Sequence, residues 1–99
     1  MKKLTLAVAA TVMMASPAFA GDAAAGKAKS MMCAACHGVD GTSAVAMYPN
    51  LKGQKAQYTI KQLKDFQSGA RKDPVMAPMA KPLSEEDIKN IAAYYESLK

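Results

Sequence analysis

The segment Cys33-Ala34-Ala35-Cys36-His37 gathers both cysteines and the single histidine of a 99-residue chain into five adjacent positions. Thiols and an imidazole at this spacing have four chemistries open to them. A Cys33–Cys36 disulfide would close so small a ring that it constrains the unfolded chain little, so such bridges are more often redox-active than structural. A thioredoxin-like dithiol needs a βαβ setting, and no segment of this chain alternates as a strand. Structural zinc takes four ligands, and the chain offers three Cys and His residues in all. The fourth chemistry is covalent attachment of haem, for which C-x-x-C-H is the signature. Two thiols three residues apart on a helical turn reach the two vinyl groups on one edge of a porphyrin. The next residue projects an imidazole over the ring centre, where it can bind iron. Cys33 and Cys36 are therefore read as thioether links, and His37 as the proximal iron ligand.

A ligating histidine needs an acceptor on its other ring nitrogen to fix its orientation and tune its basicity. The candidate is the carbonyl of Pro49, twelve residues on, in the loop expected to fold back beneath His37. With no second histidine, a sixth ligand must be Met, Lys or a backbone donor. Met31 and Met32 lead into the motif and cannot wrap to the opposite face, and Met47 follows His37 too closely. Met76 and Met79 lie in a proline-bracketed loop far enough along the chain to approach the distal side. A thioether favours Fe(II), so His/Met ligation raises the reduction potential. Two filled axial positions leave none for oxygen or peroxide, which points to electron transfer and not to an enzyme.

The first twenty residues read as an export signal. Lys2 and Lys3 precede an apolar run from Leu4 to Met14, Ser16-Pro17 breaks it, and Ala18-Phe19-Ala20 is a cleavage pattern. The run is too short to cross about 30 Å of hydrocarbon. Cleavage after Ala20 would leave one domain, residues 21–99, with 11 basic and 8 acidic side chains. So short a chain buries too little apolar surface to be stable unaided, and a central porphyrin would supply the missing core. The mild positive charge suits steering toward an acidic protein surface. No basic run with interleaved aromatics points to nucleic acid.

These groups need helices to position them. Asp22 caps a first helix expected to run to Cys33, with Ala24, Ala28 and Met31 or Met32 on one face. Gly26 in its middle costs about 1 kcal/mol relative to Ala and implies close approach of another helix. Residues 38–54 read as loop. A second helix is expected over 55–68, with Tyr58 or Thr59, Ile60, Leu63 and Phe66 or Gln67 at helical spacing and Gly69 as its C-cap. Residues 70–83 carry Pro74, Pro78 and Pro82, which predicts an irregular, stiff loop. Ser84 caps a last helix with Glu85, Glu86 and Asp87 in its first turn and Ile88, Ile91, Ala92, Tyr95 and Leu98 on its apolar face, widened by Tyr94. The domain is expected to be all-α, with about three main helices around one haem.

Four stretches in order, "GDAAAGKAKSMMCAACHGVDG", "YPNLKGQKAQYTIKQLKDFQSGAR", "MAPMAKPLSEEDI" and "IAAYYESL", resemble class I cytochromes c. The similarity is to the small monohaem bacterial type, the cytochrome c-553 group, and to one half of the tandem dihaem cytochromes. It covers essentially all of residues 21–99. It implies the cytochrome c fold, one covalent haem c and Met76 as the distal ligand, since the family's axial methionine lies seven residues before the leucine preceding the last helix, here Leu83. Met79 is the alternative. The resemblance also matches Pro49 to the proline that meets the proximal histidine, and Gly26 and Tyr94 to the crossing of the first and last helices. It implies a monomeric carrier in the periplasm, working between a quinol-oxidising complex or dehydrogenase and a terminal oxidase or reductase. Lys52, Lys55, Lys61, Lys64, Lys72, Lys81 and Arg71 could ring the haem edge for docking or simply solvate the surface. Tyr58 and Gln62 are weaker candidates for a haem propionate, with core packing the expected role of Tyr58.

Overall fold

A computed structural model describes residues 21–99; the export signal read in residues 1–20 lies outside the described residues. Five helices follow in order: α1 (Ala23–Lys29), α2 (Met31–His37), α3 (Ala56–Ser68), α4 (Met76–Ala80) and α5 (Glu85–Ser97). No strand occurs among the described residues, as the sequence pattern predicts.

The frame is the crossing of α1 on α5. The Asp22 carboxylate accepts from the Ala24 and Ala25 amides and starts α1, while its own amide donates to the Asn90 side chain at 2.8 Å. A Cβ on Gly26 would lie 1.8 Å from the Asn90 carbonyl oxygen, so the two backbones meet where only glycine fits. This contact sets the rotation of α1. Gly26 and Ser30 are buried, whereas Ala24 and Ala28, the expected inward residues, are exposed. The single helix expected up to Cys33 is also two. The buried Ser30 hydroxyl donates back to the Lys27 carbonyl at 2.8 Å, and the chain turns there before α2 begins.

Helix α5 opens with a capping box in which the Ser84 hydroxyl accepts from the Asp87 amide and the Asp87 carboxylate accepts from the Ser84 amide. Its apolar face, Ile88, Ile91, Ala92, Tyr94 and Tyr95, is buried. Across from it, α3 buries Ala56, Thr59, Leu63 and Phe66 and ends at Gly69, whose φ of 87° is the left-handed cap that glycine adopts without strain. Tyr58 is 51% exposed and takes no part in the core, because Thr59 occupies the inward position at this phase of the helix. Leu63, Phe66, Ala80, Leu83, Ile88, Ile91, Tyr94 and Tyr95 form one apolar cluster.

The proline-rich stretch is not wholly irregular. Asp73 accepts from the Val75 and Met76 amides and nucleates α4, in which Pro78 falls in the first turn, where a missing N–H costs no helical bond. Gln67 then reaches from α3 and donates to the carbonyls of Ala80 and Leu83 at 2.9 and 2.8 Å, closing the segment down at its far end. Among the described residues, no helix is long and apolar enough to cross a membrane.

Candidate functional site

Helix α2 places Cys33 and Cys36 one turn apart, both half-buried and unbridged. Cys33 packs against the central cluster. Burial pushes its thiol up from the ordinary range, the Tyr95 hydroxyl beside it pulls the other way, and Cys36 adds to the rise. His37 closes the helix and is buried, 7% exposed. Its Nδ1 lies 2.8 Å from the Pro49 carbonyl oxygen, the partner expected from the sequence. A carbonyl only accepts, so Nδ1 carries the proton, and in the neutral ring Nε2 is left with a lone pair suited to a metal. The Tyr48 ring stands 6.5 Å away, tilted by 58°.

The methionines separate by burial. Met76 is half-buried and packs against the central cluster, as does Met32, whereas Met31, Met47 and Met79 are exposed. The one thioether brought inward from the loop before α5 is thus that of Met76. Met79, three residues on, turns outward.

The residues present fit a covalently held haem. A buried imidazole with a free Nε2, two thiols on one helical turn and an inward thioether are a donor set of the right chemistry. Among the described residues, the buried hydroxyls of Thr59 and Tyr95 make no hydrogen bond of ordinary geometry; the fully buried Tyr95 oxygen has only the Cys33 thiol and the Ser30 hydroxyl near it. Burial chiefly holds the Tyr95 phenol neutral, and the neighbouring Cys33 adds to that. Orphaned buried groups of this kind are uncommon and ask for an explanation, such as an added group alongside them.

Residues 23–99 match the Cytochrome c family. The chain belongs to that family. It is 52% identical over 81 residues to cytochrome c-554(548) of Halomonas halodenitrificans, a match covering 79% of this chain and 98% of that one. It is 42% identical over 100 residues to cytochrome c4 of Pseudomonas aeruginosa, covering all of this chain and 50% of that one. Among solved structures, reduced recombinant cytochrome c4 from Pseudomonas stutzeri superposes with a TM-score of 0.76 at 45% identity, covering 81% of this chain and 47% of that one. The chain therefore spans nearly the whole of a small cytochrome and about half of the cytochromes c4. The family fixes the cofactor as covalently bound haem c and the role as electron carriage.

Several of the surface cations named from the sequence are paired. Lys52 pairs with Asp40 at 3.8 Å, Lys61 with Asp65 at 2.6 Å and Lys64 with Glu85 at 2.5 Å. Arg71 lies 4.6 Å over the Phe66 ring and donates to the Gln62 side chain. Among the described residues, Lys55, Lys72 and Lys81 have no carboxylate within ion-pair distance. Periodicity and motif gave no sign of Asp73, which starts the Met76 segment, of the bonds by which Gln67 closes it, or of Tyr95 beside Cys33. An Asp three residues before a short apolar stretch was the available signal for α4.

Proposed function

We propose that this cytochrome c is a periplasmic shuttle that passes single electrons between respiratory redox proteins through a haem ligated by His37 and Met76. The observation that carries the reading is the His37 imidazole, buried at the end of the C-x-x-C-H helix with Nδ1 committed to the Pro49 carbonyl. When bound, the haem supplies a one-electron couple between Fe(II) and Fe(III).

The chain does the rest. Cys33 and Cys36 would tether the group to α2, and the Pro49 carbonyl would hold the imidazole in the tautomer that leaves Nε2 for the iron. Met76, carried on α4 between its anchors at Asp73 and Gln67, offers the neutral sulfur that favours the reduced state. With His37 and Met76 both committed to the haem, the protein would pass electrons without an open coordination position for a small substrate. Export through residues 1–20 would deliver it to the compartment where such adducts are made. Its donor is proposed as a quinol-oxidising complex or dehydrogenase, and its acceptor as a terminal oxidase or reductase.

Carbon monoxide tests the reading. The reduced, untreated protein should bind it negligibly, and gel filtration of a periplasmic extract should show a bare monomer. Prompt binding would instead support a haem enzyme or gas sensor with an open coordination position.

A further inference from the structure

The contact between His37 and Pro49 is not made by a helix. It is made by a carbonyl in residues 38–55, which carry no regular element. A loop carbonyl stays on target only if the chain around it is held. Two fastenings at the rim of the loop are backbone bonds, from the Leu51 and Lys52 amides to the Gly41 carbonyl at 2.6 and 3.0 Å. These close the loop without touching the residues next to the proline.

Ser43 does touch them, on both sides. Its hydroxyl lies 2.7 Å from the carbonyl oxygen of Tyr48, the residue immediately before Pro49. Its backbone amide donates to the side-chain oxygen of Asn50, the residue immediately after, at 2.8 Å. The hydroxyl is also 2.7 Å from the Val45 carbonyl. Having one proton, it is shared between two acceptors on the same loop. Ser43 is half-buried, and its bond to the Tyr48 carbonyl is partly shielded from competing water, whereas those to Val45 and Asn50 are exposed.

We propose that Ser43, with Asn50 as its counterpart, is the positioning residue that holds the Pro49 carbonyl on His37 and thereby sets the reduction potential. The inference rests on the reading of His37 as proximal ligand. A firm Nδ1–H to carbonyl bond makes the imidazole a stronger donor through Nε2 and favours Fe(III). Slackening the loop weakens that bond and raises the potential. Pro49 offers no N–H of its own to be gripped, which is why the fastening falls on its two neighbours.

The test uses holoprotein of the wild type and of Ser43→Ala, Ser43→Thr and Asn50→Ala. Intact mass first establishes that each carries haem. Redox titration and exchange of the His37 Nδ1 proton by NMR are then read together. Losing one hydrogen bond should make exchange roughly three- to tenfold faster. Ser43→Ala and Asn50→Ala should both show this with a raised midpoint potential, and Ser43→Thr should restore both. If Ser43→Ala does not accumulate, Asn50→Ala is read in the same way. Haem-loaded variants with unchanged potential and exchange overturn the inference. Wild-type protein lacking haem would instead overturn the reading it rests on.

Discussion

The two sides of the site are held by different means. On the histidine side, a carbonyl contacts the proposed ligand directly, Pro49 oxygen to His37 Nδ1 at 2.8 Å. On the methionine side, no polar group among the described residues bonds the Met76 sulfur in that way. Met76 is aimed by the packing of its side chain against the central cluster and through its backbone, by the Asp73 carboxylate on its amide and by Gln67 on the carbonyls that follow α4. The difference follows from the ligands. An imidazole has a second nitrogen that a partner can grip, whereas a thioether is a weak acceptor with no proton to give. The histidine can therefore be oriented by one bond, and the methionine needs an anchored segment. The two sides should respond differently to perturbation.

Both depend on the α1–α5 crossing, and breaking it should erase the distinction. Gly26→Ala places a Cβ against the Asn90 carbonyl, where neither backbone has room to move. Overpacking of this kind should cost about 3 kcal/mol, read by thermal unfolding of the holoprotein. A loss too small to detect would mean that the crossing is looser than the contact implies.

The methionine side is separated by replacement. Met76→Ala should abolish the weak sulfur-to-iron absorption band of the oxidised protein and lower the potential, whereas Met79→Ala should keep the band. The reverse result would move the ligand to Met79 and leave the inward packing of Met76 as core filling.

Acid should also find the methionine side first. Amides of Met76 and Val75 hold the Asp73 carboxyl below its ordinary value. Its support for α4 is therefore complete above the ordinary carboxylate range and is lost as pH falls through the lowered value. In an acid titration the sulfur-to-iron band should fade before the His37-dependent haem spectrum changes, and Asp73→Ala should weaken the band even at neutral pH. Simultaneous loss of both signals would show that the two sides are not independently held.

A smaller effect concerns Tyr95. Its hydroxyl is buried without a hydrogen bond of ordinary geometry among the described residues. An added group alongside it would bond it in the holoprotein, so Tyr95→Phe should lower holoprotein stability by about 1 kcal/mol in denaturant unfolding. A gain of similar size would show that the hydroxyl stays unpartnered in the holoprotein.

The sequence made the helical parts legible where local signals agree. α5 has a cap, a charged first turn and an apolar stripe, and α3 has its stripe and a terminal glycine. The motif and the position of Pro49 were legible too, because their chemistry depends on residue type and spacing. What was not legible depends on phase or on distant partners. Ala24 and Ala28 look like a buried face, yet Gly26 faces α5, because backbone contact outweighed side-chain hydropathy. The turn at Ser30 has no Gly or Pro to announce it. α4 was hidden by three prolines, of which Pro78 sits where a first turn tolerates it. Ser43, Gln67 and Tyr95 act through contacts that no periodicity encodes.

The account stands most directly on the intact mass of the chain purified from a host that assembles such adducts, followed by peptide mapping. It predicts the mass of residues 21–99 plus one haem, with the whole addition on the peptide containing Cys33 and Cys36. A bare polypeptide mass, or an addition on a peptide lacking these cysteines, would contradict it.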